Sequence, residues 1–236
     1  MAGNVKTVGA SVTSRALAIL GAFDALHSGL SLSDLSRRTG IPLATAHRLI
    51  GELSSWGALS RGPDGRYRIG LRVWELGALT PTRTGLRDAA LPSLLSLSEL
   101  SRKEVRLVVA DGEDAVCVEH LVARDDPGGT DLTGLRCPLE ESACGIALLA
   151  HREAGGATVQ RCLPLYRRYG CVVRAEEPRA GRQTLAMPVV GDDLAAVAAI
   201  GLTLPGETAI GHGRELLIAA AAGIQRALSR QRAVAA

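Results

Sequence analysis

The sequence predicts an α+β protein in parts: a winged helix–turn–helix domain over 1–80, a linker helix over 81–102, and a mixed helix-and-strand domain over 103–236. Three observations carry this reading. Two short helical patterns between Ser31 and Gly57 are separated by Gly40-Ile-Pro42, and a Gly62-Pro-Asp-Gly65 turn follows between two short strands. After residue 104 the apolar residues fall into strand-like runs joined by turn residues. Helical patterns lie between and after those runs, which defines an α+β arrangement.

A first helix is expected from Thr13 to Leu26, where Ile19, Leu20, Phe23 and Leu26 form an apolar stripe, with Gly29 as its breaker. Ser31 caps the second helix, Asp34 puts an acid on its first turn, and Gly40 stops it. Pro42 suits the first turn of the third helix. There Ala46, Leu49, Ile50 and Leu53 face inward, Leu43, Thr45, His47, Arg48 and Glu52 face outward, and Gly57 ends the run. The strands beside the Gly-Pro-Asp-Gly turn put Arg61, Arg66 and Arg68 on or near a wing. The run Ile69–Leu79 is apolar, and the linker helix is expected from about Leu86 to Ser101. A hairpin joins Val105–Ala110 to Ala115–Val122 through Asp111-Gly-Glu-Asp114, and Asp125–Gly129 reads as a loop. Ser142–Ala150 reads as a helix. Strands at Arg182–Val190 and Ala195–Leu204 flank Gly191-Asp-Asp193, and a helix closes the chain over Glu207–Arg230.

Charge is unevenly placed. Residues 1–80 hold nine Lys and Arg against five Asp and Glu, and the rest hold eighteen against nineteen. A polyanion is drawn to the first part. A recognition helix presents its N-terminal side chains to base edges in a major groove. Leu43, Thr45, His47 and Arg48 are the candidates here, with Arg37, Arg38, Arg61, Arg66 and Arg68 for phosphates or an adjacent minor groove. Arg48 has an alternative partner in Glu52 one turn on. DNA binding is therefore the expected activity, against a helical domain for protein contacts with merely solvated arginines.

Five cysteines, Cys117, Cys137, Cys144, Cys162 and Cys171, form no C-x-x-C pair and read as small buried hydrophobes. No metal or cofactor is implied. Met1–Ser11 lacks an apolar signal core, and no apolar run approaches the ~20 residues of a membrane span. A cytoplasmic location is expected. No G-x-x-x-x-G-K-[ST] loop occurs.

Ser14-Arg-Ala-Leu-Ala-Ile-Leu20, Thr45-Ala-His-Arg-Leu49 and Gly65-Arg-Tyr-Arg-Ile-Gly70 leading to Leu76-Gly77 occur in order. This string resembles the isocitrate-lyase-regulator (IclR) family of bacterial transcription factors. Pro138-Leu-Glu-Glu-Ser-Ala-Cys-Gly-Ile-Ala-Leu-Leu-Ala150 is similar to that family's pocket loop. Tyr169-Gly170 through Glu176-Glu177 and Gly181, then Ala186-Met-Pro-Val189, resembles a later signature. The resemblance implies a winged-helix N-terminal domain and a GAF-like α+β effector domain. It also implies a homodimer or homotetramer on a double-stranded operator, with a small-molecule effector; the family holds repressors and activators, and a repressor is expected here. It places the effector at Ala143, Cys144, Arg174, Arg182, Thr184, Gly201 and Thr203. Arginine at 174 favours an anionic ligand, since its fork matches a carboxylate; the alternative is a surface pair with Glu176 or Glu177. Departures are Leu43-Ala44 before the recognition-helix threonine, Glu140-Glu141 in place of His-Ala, and Ile146 in place of Lys. Two other readings keep DNA binding: a thiol switch at Cys144, or loss of effector sensing. An enzyme built on Cys144 with His120 or His151 has no supporting spacing.

Overall fold

The computed structural model describes residues 11–24, 26–79, 81–123, 131–152, 155–175, 181–205 and 210–235. Residues 1–10, the Asp125–Gly129 loop, Glu176-Glu177 and the expected start of the last helix at Glu207 lie outside the described residues. The chain divides into two compact units, Met1–Pro81 and Thr82–Ala236.

The first unit runs α1 (Val12–Leu20), α2 (Leu32–Thr39), α3 (Leu43–Trp56), β1 (Leu59–Arg61), β2 (Tyr67–Ile69) and α4 (Leu71–Ala78). Helix α1 ends at Gly21, short of the expected Leu26. The reason is local: Asp24 accepts from the Leu26 amide at 2.9 Å and from His27 Nδ1 at 2.7 Å, which bends the chain out of the helix. Ile19 is buried, Leu20 and Phe23 pack against the core, and Leu26 is exposed. Ser31 caps α2 in a full capping box with Asp34. The turn between α2 and α3 is tied by Thr39 Oγ1, which donates to Leu35 O at 2.7 Å, and by Ser36 Oγ, which donates to Ile41 O at 2.7 Å. Gly40 takes φ 69° there, a conformation glycine adopts without strain. Ala46, Leu49 and Ile50 bury the inner face of α3, and Leu53 packs partly against it. The apolar run after the wing forms α4, which has no buried residue and only Val73 partly covered.

The second unit holds α5 (Pro81–Ser101), β3 (Val105–Asp111), β4 (Asp114–Leu121), β5 (Arg136–Pro138), a 3-10 turn at Leu139–Glu141, α6 (Ala143–His151), α7 (Ala157–Tyr169), β6 (Val172–Ala175), β7 (Arg182–Val190), β8 (Ala196–Pro205) and α8 (Ile210–Ala235). The strands form one antiparallel sheet in the order β5-β4-β3-β8-β7-β6. Helix α5 begins before Leu86 and puts Leu86, Ala90, Leu94 and Leu97 into this unit's core. Leu217 and Ile224 of α8 join them against Leu107, Leu185 and Ile200 on one sheet face. Ile146 and Leu148 of α6 and Val159 of α7 pack with Val108, Ala186 and Ala199 on the other. The sheet is thus covered on both faces, and charged side chains on its inner strands must find partners inside. Helix α7, which carries Pro164, and the short strands β5 and β6 are additions to the elements expected from sequence.

Candidate functional site

In the first unit, α3 presents Leu43, His47 and Arg48 to solvent, with Thr45 half-buried beside them. Arg48 and Glu52 form an exposed i, i+4 ion pair. Such a pair in water is weak enough to yield to a phosphate or a base.

The wing is held on the body of the unit by backbone bonds between Leu30 and Tyr67, at 3.0 and 2.8 Å. At its tip, Asp64 receives both amino groups of Arg68, at 3.0 and 2.6 Å, and the Arg66 amide at 3.2 Å. The Arg68 guanidinium holds the Asp64 carboxyl down at about 2. Arg66 donates to the Gly29 carbonyl at 3.0 Å, and Arg61 lies over the Tyr67 ring, 5.6 Å from its centre. Arg37 pairs with Asp34 and Arg38 with Asp24, each at 2.6 Å. Arg37, Arg38, Arg66 and Arg68 line a single concavity of about 620 Å³ with His27 and Asp34. Four arginines line one hollow, three of them hydrogen-bonded to carboxylates and Arg66 to the Gly29 carbonyl, which suits a phosphate backbone that exchanges for those carboxylates.

The second unit carries a polar cluster on the α6 face of the sheet, while buried Glu119 on the other face pairs with Arg87 of α5 at 2.6 Å. Arg106 pairs in register with Gly201 and His120, and Thr184 with Thr203 and Arg174. Thr184 and Thr203 hydroxyls are 3.3 Å apart, and Arg106 donates to Thr203 Oγ1 at 3.2 Å. Arg106 and His120 meet on Glu104: Arg106 Nη2 is 2.6 Å and His120 Nε2 2.9 Å from Glu104 Oε1. His120 is 2% exposed in its side chain, and its Nδ1 accepts the Leu132 amide at 3.0 Å. Nε2 therefore bears the proton and donates to Glu104. Burial works against a charge on Glu104, but the His120 and Arg106 donors outweigh it and hold the carboxyl at about 2. Glu104, Arg182 and Thr203 line a cavity of about 80 Å³ with Arg102 and Lys103.

The seven residues singled out for the effector therefore divide. Arg182 and Thr203 line this cavity, and Thr184 bonds to Thr203. Ala143 and Cys144 start α6 and are buried in the core, Cys144 at 3% exposure. A side chain on Gly201 would meet Cys144 Sγ at 2.8 Å, so the thiol fills the space glycine leaves. Arg174 donates to the Glu140 carbonyl at 2.7 Å; its alternative partners, Glu176 and Glu177, lie outside the described residues. Glu140 is tied down rather than solvated: its carboxylate accepts the Gly156 amide at the start of α7. His151 is held between the Tyr166 hydroxyl and the Leu194 carbonyl, each at 2.9 Å. Burial pushes the Cys117 thiol up to about 12 and raises those of Cys137 and Cys171. Glu104, Arg106 and His120 were missed as site residues. The signal for Glu104 and Arg106 was charge alternating with Val105 and Leu107 at the start of a strand.

Among the described residues no helix is long and apolar enough to cross a membrane. The IclR helix-turn-helix domain model matches residues 12–63, and the model of the bacterial transcriptional regulator IclR C-terminal domain matches 79–161. The chain is 33% identical over 137 residues to the HTH-type transcriptional regulator KipR of Bacillus subtilis, a match that covers 58% of this chain and 54%, about half, of that regulator. It is 27% identical over 219 residues to the HTH-type transcriptional repressor AllR of Escherichia coli, covering 84% of this chain and 81% of that one. A crystal structure of an IclR homologue from Microbacterium hydrocarbonoxydans complexed with 4-hydroxybenzoate matches with a TM-score of 0.82 at 26% identity. That match covers 93% of this chain and 100% of the other.

Proposed function

The chain belongs to the IclR family of bacterial transcriptional regulators, and from that premise we propose that it is a repressor released from its operator by a small anionic effector. As a member it is a DNA-binding regulator with an effector-binding domain, not an enzyme. The repressor role draws support from the relative named a repressor. The anionic effector draws support from the solved relative's bound 4-hydroxybenzoate, an acid.

The observation that carries the DNA assignment to residues is the pairing of the solvent-facing start of α3 with the four-arginine hollow beside the wing. In this reading Leu43, Thr45, His47 and Arg48 face base edges. Arg37, Arg38, Arg61, Arg66 and Arg68 face phosphates. The effector sits against Arg182, Thr184 and Thr203, and its differential affinity for two arrangements of the protein changes operator affinity. Burial of the Cys144 thiol against Gly201 weighs against a redox switch there.

The protein acts as a homo-oligomer. Helix α4 exposes Leu71 and Trp74 at 69% each and Leu76 at 51%, an apolar surface that a second copy of the chain would cover.

The test is fluorescence anisotropy of the full chain on DNA from upstream of its own gene, with small carboxylic acids added at fixed ionic strength. Release of the DNA by an acid supports the reading. Tighter binding on adding the acid contradicts repression with induction, and indifference to every acid contradicts the anionic effector.

A further inference from the structure

We infer that the outer face of α7, together with the start of α8, is a docking surface for an acidic, leucine-bearing segment of a partner protein. The inference is independent of the effector reading and of the DNA contacts assigned to the first unit.

The sequence sets the charge. Residues 154–175 hold four arginines and no Asp or Glu, in a unit that is close to neutral as a whole. Helix α7 turns Val159 and Leu163 inward. Arg161, Leu165 and Arg168, at i, i+4 and i+7, lie on the opposite side and are exposed, Leu165 at 57%. The two arginines are about 10 Å apart along the helix axis, with an apolar side chain between them.

Tyr169 gathers two guanidinium groups at the end of this stripe. That of Arg168 lies 5.2 Å from the ring centre, and that of Arg214, from α8, 5.9 Å. Arg214 Nε also donates to the Tyr169 carbonyl at 2.8 Å. Among the described residues Arg161, Arg168 and Arg214 have no carboxylate partner, whereas Arg37, Arg38 and Arg68 of the first unit each have one. Like charges held beside one ring repel, and a carboxylate seated near both relieves that repulsion. The ring contacts fix both groups beforehand, which lowers the entropy lost on binding.

The occupant follows from this chemistry. A long polyanion is drawn to a broadly basic domain, but here the positive charge is confined to one helix face of a near-neutral unit. A phosphate backbone has no use for Leu165, which sits in the middle of the stripe. Arginine and tyrosine around an apolar centre match the composition of a protein interface. Three residues of an extended chain span about 10 Å, so two acids three positions apart with a leucine between them fit the stripe.

The test is fluorescence anisotropy of the full chain with a labelled peptide Glu-Glu-Leu-Glu-Glu, its twin with alanine at the centre, and a duplex of random sequence. The native protein is compared with Arg168→Ala/Arg214→Ala, with Leu165→Ser, and with Arg37→Ala/Arg66→Ala as a control in the first unit. The native chain should bind the leucine peptide at least ~3-fold tighter than its twin, as partial burial of the extra carbons requires. Arg168→Ala/Arg214→Ala should lose at least ~10-fold, each exposed pair being worth up to ~5-fold. Leu165→Ser should bind the two peptides alike, and it carries the test alone if loss of the Arg214 contact to the Tyr169 carbonyl unfolds the double variant. The first-unit control should keep the native peptide affinity. No peptide binding, equal binding of the two peptides by the native chain, or an equal loss in the first-unit control overturns the proposal. A double variant that keeps the peptide and loses the duplex makes this face a nucleic-acid contact, and one that dissociates the homo-oligomer in light scattering gives the face to a second copy; either result overturns the proposal as well.

Discussion

Glu104 makes a quantitative prediction about acid stability. In the fold its carboxyl is held at about 2, against 4.5 for an unperturbed glutamate. Because the folded value is depressed, the unfolded chain takes up the proton first as the pH falls. The stabilisation is complete above about pH 5 and is lost between pH 5 and pH 2. At about 1.4 kcal/mol per unit the full contribution is about 3 kcal/mol, and roughly 2 kcal/mol of it is gone by pH 3. The side chain is 7% exposed, and the figure is an upper bound because water still screens part of the site. The assay is calorimetric or circular-dichroism unfolding of the native protein and Glu104→Gln at pH 6, 4 and 3. Tryptophan fluorescence is the wrong probe, because Trp56 and Trp74 both lie in the first unit. Glu104→Gln should be less stable at pH 6, and the gap should narrow by about 2 kcal/mol at pH 3. Asp24, Asp34, Asp64 and Asp131, whose carboxyls are also held low, titrate in both proteins and cancel in the difference. A gap that is unchanged from pH 6 to pH 3 would refute the reasoning.

Other perturbations have equally definite outcomes. A methyl added at Gly145 would lie 2.2 Å from the Leu139 carbonyl oxygen, a backbone atom that cannot yield cheaply; Gly145→Ala should lose about 1–3 kcal/mol in thermal unfolding although alanine favours helix by ~1 kcal/mol. Ser31→Ala removes the capping box of α2 and should cost about 1 kcal/mol, followed by the tryptophan signal of the first unit. Glu52→Ala frees Arg48 and should raise DNA affinity by up to about fivefold, the ceiling for an exposed pair worth ~1 kcal/mol; a drop in affinity would count against Arg48 as a DNA contact. Trp74→Glu places a charge on the exposed face of α4 and should shift the protein towards monomer in light scattering.

The first unit was the more legible in sequence, because its signals are local. Ser31 with Asp34, Gly40 and Gly57 mark their helix boundaries through contacts within a few residues, and the structure has those caps. The end of α1 was misread because apolar periodicity continues through Phe23 and Leu26, while the bend is made by the polar side chain of Asp24. Helix α7 was passed over because Pro164 interrupts a helix whose buried residues are only Val159 and Leu163. The hairpins β3–β4 and β7–β8 were readable from their turns. Which residues share the polar cluster was not, since register and the covering of both sheet faces bring Glu104, just before β3, together with His120 of β4 and Arg182 of β7. The placement of Cys144 shows the same limit. Its position at the start of α6 was legible, but its burial against Gly201 depends on a strand 57 positions later.

The most direct measurement on the regulator is anisotropy of the full chain against an operator selected from random duplexes and a scrambled control, at two salt concentrations. The expected result is tight, sequence-dependent binding that weakens as salt rises. Arg48→Ala should then lose discrimination between the two duplexes, while Arg66→Ala weakens both alike and lowers the salt dependence. Equal weak binding to both duplexes, or no binding at low salt, would contradict it.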